Sequence, residues 1–255
     1  MQGNVAFITG AASGIGRATA RALAAAGVRV AMVDYQDAEL QAAAQELERA
    51  GAEVLPLLAD LTQTEGLAPL VQAALDRFGR IDFLVNSAAQ VGGTYEFLQI
   101  ASAEWDRAML LNVKVPMLLM QLFARHVMQR GGGGGRIVNV TSSSAFRAQG
   151  TRAAYGSSKA ALTALTRIVA AQFGEHDINV NAVAPGITNT PGAERAMKVD
   201  AAGMKAKVSE GPNANFFKRL TEAEDVAATI VFLCSPGSRQ ITGQTIHVSA
   251  GTITP

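Results

Sequence analysis

Tyr155 and Lys159 stand four residues apart in the stretch YGSSK. On a helix that spacing puts both on one face, one turn from each other. A phenol and an ammonium in water each hold their proton to about pH 10. A lysine cation beside a tyrosine favours the phenolate and draws the phenol's pKa toward working pH. Such a tyrosine takes the proton of an alcohol, or returns one to a developing alkoxide. Read alone, the same stretch is better explained as an exposed helix start with solvated serines and lysine, so the surrounding motifs decide.

A second motif lies near the start. In TGAASGIG (9–16) an apolar run meets a helical pattern. Gly10, Gly14 and Gly16 strip side chains from that turn. With Ser13 and Ile15 they present backbone N–H groups to a diphosphate at the positive end of the following helix. Asp34 stands at the tip of the second strand, where a carboxylate accepts from both hydroxyls of an adenosine ribose. Asp60 ends the third strand, facing an adenine. Either aspartate singly also reads as a turn or cap residue. A 2′-phosphate against Asp34 meets like charge, and Ala11, Ala12 and Tyr35 supply no cation. Arg17 is nearby but sits in the first turn of a helix, where a solvated surface role is open to it. The expectation is NAD(H) rather than NADP(H), with no metal.

These residues need elements to position them. Apolar runs at 5–10, 28–34, 53–60, 81–88, 136–142, 178–186 and 244–250 read as strands. Helical patterns fall at 16–27, 37–51, 67–79, 103–130, 152–173 and 222–234. Continuous apolar strands alternating with helices predict an α/β fold, a parallel sheet covered on both faces. Pro56 makes the third strand irregular. GGGGG (131–135) reads as a flexible turn, and no linker divides the chain, so residues 1–255 are expected to form one domain.

Composition narrows the function classes. The net charge is +1 over 255 residues, which gives no electrostatic case for nucleic acid or an anionic membrane. A single cysteine, Cys234, allows no internal disulfide, and a reducing compartment fits. His126, His176 and His247 lie far apart, with no ligand spacing to that cysteine. No basic leader or uninterrupted membrane-length apolar run stands out, so a cytoplasmic location without membrane contact is expected.

The ordered set TGAASGIG, Asp60-Leu61, NSAA (86–89), Asn112, NVTS (139–142), YGSSK and NAVAPGITNT (181–190) resembles the short-chain dehydrogenase/reductases. The resemblance covers nearly the whole chain. It implies a doubly wound Rossmann fold with seven parallel strands, usually tetrameric, that transfers hydride between NAD(P) and a carbonyl or alcohol. Carried over by position, the family's catalytic residues fall on Asn112, Ser142, Tyr155 and Lys159. The resemblance also gives Lys159 the nicotinamide ribose, and Ile187 and Thr188, within Pro185-Gly186-Ile187-Thr188, the carboxamide. Asn86, Ala88 and Leu61 flank the same cofactor.

Three of these positions invite a physical reading. Ser142, at a strand end thirteen positions before Tyr155, is placed to hold the substrate oxygen, although Ser143 and Ser144 adjoin it; Ser144 and Gln149 are further substrate candidates. Pro116, lacking an N–H, deprives the Asn112 carbonyl of its helical partner and opens the helix there; a kink tolerated for packing is the other reading. The family's Asn-Asn-Ala-Gly is here Asn86-Ser87-Ala88-Ala89, and its Val-Asp-Gly-Gly is VSAG. Ala89 makes a left-handed backbone costly at that position.

The leading function is an NAD-dependent dehydrogenase interconverting a secondary alcohol and its ketone. A 3-oxoacyl-thioester reductase is second, and a silent NAD-binding scaffold third. The segment 189–217, with Met197, Met204, Phe216 and Phe217, reads as an apolar lid or as a helical hairpin packed for its own sake. Few charges in the flanking loops point to a neutral or partly apolar substrate. Helices 105–128 and 154–174 are apolar on nearly every side, which predicts a homodimer on these faces, doubled to a homotetramer as the resemblance implies.

Overall fold

Strands whose side chains are apolar on both faces can only be buried on both faces. The computed structural model, which describes residues 1–131, 133–148 and 150–254, builds its sheet from such runs. They are β1 (Val5–Thr9), β2 (Arg29–Asp34), β3 (Val54–Leu58), β4 (Phe83–Asn86), β5 (Gly135–Val140) and β6 (Ile178–Pro185). A two-residue pair follows, β7 (Thr188–Asn189) with β8 (Thr221–Glu222), and β9 (Thr245–Val248) closes the series. The main sheet has seven strands in the order β3-β2-β1-β4-β5-β6-β9, every neighbour parallel. Pro56 is accommodated because β3 is an edge strand.

The helices are α1 (Gly14–Ala25), α2 (Asp37–Arg49), α3 (Leu67–Phe78), α4 (Ser102–Met109), α5 (Val115–Gln129), α6 (Ala153–Phe173), α7 (Pro191–Met197), α8 (Ala201–Ser209) and α9 (Ala223–Cys234). One core joins Leu23, Leu40, Leu47, Ile230 and Leu233 of α1, α2 and α9 to one face of the sheet. The other joins Val71, Leu119, Phe123 and Val169 of α3, α5 and α6 to the opposite face. The expected doubly wound α/β architecture is therefore present.

Three local readings are corrected. Gly135 is the first residue of β5, not part of a turn, and a side chain there would press on Phe123. Residues 187–220, which lie outside the strand and helix patterns read from the sequence, contain α7 and α8, tied down by the β7–β8 pair. The helical run Ser102–Gln129 is 28 residues long and contains an 18-residue window of mean hydropathy 1.2, long and apolar enough to cross a membrane, where no such run was expected. Its apolar content serves the core instead: Leu119, Met120, Phe123, Ala124 and Val127 are buried in the layer against the sheet.

Within VSAG, Ala250 adopts φ +51°. A left-handed non-glycine residue costs roughly 1–2 kcal/mol, and glycine's looser unfolded chain offsets roughly 0.4–1 kcal/mol of the relief. Ala250→Gly is therefore expected to stabilise the fold, raising the melting temperature by about 2 °C. A lower melting temperature in differential scanning calorimetry would show that the Ala250 methyl makes contacts worth more than the strain.

Candidate active site

Because every strand is parallel, the carboxyl ends of β1, β2, β4, β5 and β6 meet along one edge of the sheet. The strand order reverses between β1 and β4, where α/β sheets open a crevice. A cleft of about 740 Å³ lies there. Gly10, Ser13, Gly14 and Ile15 line its floor, with Asp34, Asp60 and Leu61 at one end. Ala88, Ser142, Ser144, Tyr155, Lys159 and the run Pro185, Gly186, Ile187, Thr188 line the other.

The floor suits a diphosphate. Gly10 has φ +69°, and a Cβ there would lie 2.8 Å from the Ala88 nitrogen. Gly16 sits beneath the turn, outside the cleft wall, where a Cβ would run into the Gly10 carbonyl. No side chain caps the start of α1 and no acidic residue occupies its first turn, so its N–H groups remain for an anion. Asp34, only 5% exposed, is fixed by three backbone donors: Ala12 N at 3.0 Å, Tyr35 N at 2.8 Å and Gln36 N at 3.1 Å. Two carboxylate oxygens have about four acceptor positions, so with three filled, capacity remains for about one further donor such as a ribose hydroxyl. Arg17 is an ion-pair partner of Glu46 at 2.5 Å and does not line the cleft. Asp60 is exposed and accepts from Thr62 N and Oγ1, so part of its capacity serves its own turn.

At the other end, the N-terminal half of α6 carries Tyr155 and Lys159 beside the end of β5. The Lys159 ammonium donates to Val140 O at 2.7 Å, and its nitrogen lies 5.9 Å from the centre of the Tyr155 ring. Ser142 begins a short turn after β5, its hydroxyl accepting from Ser144 N at 3.1 Å. Two polar tethers hold α6 in register. Asn139 of β5 donates to Thr166 Oγ1 at 3.0 Å. Asn112, fully buried, accepts from Gln90 N at 2.8 Å and donates to Gln90 O and to Ser158 Oγ, both at 2.9 Å. Around Asn112 the helix opens into a π turn over Leu110–Lys114, just before Pro116. That is the opening the missing proline N–H requires.

The family model described as Enoyl-(Acyl carrier protein) reductase matches residues 10–252. The chain belongs to the short-chain dehydrogenase/reductase family. It is 37% identical over 255 residues to a 7α-hydroxysteroid dehydrogenase of Bacteroides fragilis, covering 98% of this chain and 94% of that one. It is 34% identical over 250 residues to the levodione reductase of Leifsonia aquatica, covering 97% and 93%. A crystal structure of levodione reductase superposes with a TM-score of 0.91 at 31% identity, covering 98% of this chain and 97% of that one. A 7α-hydroxysteroid dehydrogenase complexed with NADH and 7-oxo glycochenodeoxycholic acid gives 0.91 at 32% identity, covering 100% and 96%. These short-chain dehydrogenase/reductases are oxidoreductases of hydroxyl and ketone groups, and the last holds a nicotinamide cofactor.

Against the short-chain dehydrogenase/reductase pattern, some expected residues fall elsewhere. Asn86 does not line the cleft; its side chain turns between strands and donates to Asn139 Oδ1 at 2.8 Å. Asn112 is likewise behind the wall. Gln149 lies outside the described residues. Ala89 stays out of the left-handed region, which Gly92 takes instead with φ +65°. Met197 lines the cleft and Met204 is buried, but Phe216 and Phe217 are exposed and outside the wall.

The electrostatics also differ from expectation. Burial pushes the Tyr155 phenol up, while a hydrogen bond from Ser142 and the charge of Arg152 pull it down. Burial brings the Lys159 amine down to about 7. In the chain by itself the lysine thus shares its proton near neutrality, and the groups that pull the phenol down are Ser142 and Arg152 rather than the expected Lys159, with desolvation outweighing both. The reading of few charges near the substrate end is corrected too. Arg147, Arg152, Arg195 and Lys207 line the cleft. Arg152 was findable, three residues before Tyr155 on one helical face. Thr190, another lining residue, carries a cap signature: its hydroxyl accepts from Ala193 N at 3.2 Å, followed at once by Pro191.

Proposed function

We propose that the chain is an NAD(H)-dependent oxidoreductase interconverting a secondary alcohol and its ketone. The observation that carries the reading is the joint presence, in one cleft, of a bare diphosphate floor and the Ser142–Tyr155–Lys159 cluster. When bound, the nicotinamide supplies or accepts the hydride. Gly10, Ser13, Gly14, Ile15 and the α1 N-terminus hold the diphosphate, Asp34 the adenosine ribose, and Pro185 to Thr188 the nicotinamide end. Ser142 holds the substrate oxygen. Tyr155 takes the alcohol proton in oxidation and gives it back in reduction. Lys159, able to gain or lose a proton near neutrality, refills the phenol in reduction and takes its proton away in oxidation, and the opening of the helix at Asn112 links it to solvent in both directions. Residues 1–255 act as one catalytic unit, with 189–217 as its lid. A panel of secondary alcohols followed by NADH absorbance tests the reading, and no turnover of any member with NAD⁺ sinks it.

The proton carrier fixes the sign of the pH dependence. Oxidation needs Tyr155 without its proton and reduction needs it with one. Oxidative kcat/KM is expected to rise with pH and reductive kcat/KM to fall. Limbs of the same sign in the two directions would remove Tyr155 from the proton's path.

A 3-oxoacyl-thioester reductase is the second reading; the description of the matching family model shares its acyl-carrier-protein substrate, though it names reduction of an enoyl double bond. Consumption of acetoacetyl-CoA with NADPH, faster than simple ketones with NADH, decides for it.

The outward sides of α5 and α6 support assembly as a homodimer, doubled to a homotetramer as the family resemblance implies. Met117, Leu118, Leu122, Ala161, Ala164 and Leu165 stay half-buried in one chain, and Ile168 and Met128 are exposed. A second copy laid across this face covers it. Multi-angle light scattering is expected to give a tetramer. An active monomer at micromolar concentration rules the arrangement out.

A further inference from the structure

The charged residues lining the cleft are divided by sign. Asp34 and Asp60 mark one end; at the Tyr155 end stand Arg147 and Arg152, with Arg195 and Lys207 on the lid side, and no carboxylate of a described residue lines the wall there. Among the described residues none of these four cations is in an ion pair. Arg195 and Lys207 are exposed, so water screens them. Arg152 is different. It is half-buried, its guanidinium carbon lies 4.9 Å from the centre of the Tyr155 ring, and its Nε is buried with no partner. Its guanidinium donates to Val91 O at 3.3 Å, a neutral acceptor. Arg147 is similarly matched with neutral groups, Asn213 Oδ1 at 3.3 Å and Pro212 O. A guanidinium drawn partly out of water without a counter-charge is unfavourable until an anion joins it.

We propose that Arg152 binds an anionic group of the substrate, and that the natural substrate is a short hydroxy acid or oxo acid. This rests on the alcohol–ketone reading above and names its substrate class. Arg presents a planar fork that a carboxylate matches with two parallel hydrogen bonds. Because that fork stacks on the ring of Tyr155 itself, the carboxylate it holds lies within a few bonds of the carbon whose oxygen meets the phenol. Arg147, Arg195 and Lys207 add attraction at longer range and speed the approach of an anion.

The test uses NADH with 3-oxobutanoate, 4-oxopentanoate and the methyl ester of each. The acids are expected to exceed their esters in kcat/KM by about tenfold or more, the worth of one hydrogen bond between charged groups, and rising salt should shrink the difference. Arg152→Gln should cut the acid-to-ester ratio by about tenfold, mainly through the KM of the acid. Arg152→Lys should keep part of the ratio; a merely structural role would lower acid and ester alike. An acid-to-ester ratio at or below one, or a ratio unchanged in Arg152→Gln, overturns the anion site while ester turnover leaves the reductase reading standing. Turnover of neutral panel alcohols with neither acid accepted overturns it too. A weakened NADH titration in Arg152→Gln assigns the cation to the cofactor instead. Failure of all four carbonyls and of the whole alcohol panel sinks the parent reading, and the anion site with it.

Discussion

Tyr155→Phe is expected to lower turnover by ~10²–10⁴-fold, the usual worth of a positioned general acid or base. The substitution keeps the ring and removes the hydroxyl. The ring is half-buried, with Arg152 over it and Ser142 beside it, so its packing survives. Lys159 keeps its bond to Val140 O, since that contact does not pass through the phenol. NADH should therefore bind the variant as it binds the parent, measured by fluorescence titration, while steady-state rates collapse. The buried hydroxyl is set at a cost: burial pushes its pKa up, and Ser142 and Arg152 only partly oppose this. Such an arrangement serves proton exchange better than stability. Near-normal turnover in Tyr155→Phe on the best substrate would assign the proton to another group.

Asp34→Ala is expected to collapse the preference between cofactors. On the proposed reading the parent's carboxylate accepts from a ribose hydroxyl and repels a 2′-phosphate. A hydrogen bond to a charged group contributes ~1.5–3 kcal/mol, so kcat/KM for NAD⁺ should fall roughly 10–150-fold, and that for NADP⁺ should rise as the repulsion goes. Asp34 also holds Ala12, Tyr35 and Gln36 through their N–H groups, so its loss loosens the turn. The ratio of the two efficiencies is the appropriate readout, because a general loosening lowers both cofactors together. A ratio that stays where it was would mean that Asp34 serves the turn alone.

The sequence by itself determined the alternation of strands and helices, the glycine turn at 10–16, and the Tyr155–Lys159 spacing. All three are local: strand burial, side-chain deletion and helical periodicity are written into consecutive residues. Even the opening of the helix at Asn112 was legible, because one missing N–H at Pro116 is a covalent fact. What the tertiary structure decided depends on residues far apart in the chain. By resemblance Asn86 flanks the cofactor, but where its side chain goes was not legible: it donates to Asn139, 53 positions away. Arg17 stood close enough to the ribose end in sequence to matter, and Glu46 on α2 claims it. The loops around the substrate read as nearly uncharged, one loop at a time. Folding brings Arg147, Arg152, Arg195 and Lys207 from three segments to one wall. The pKa of the Tyr155–Lys159 pair likewise belongs to the fold: spacing predicts their charge interaction, but desolvation, which dominates it, is set by everything packed around them.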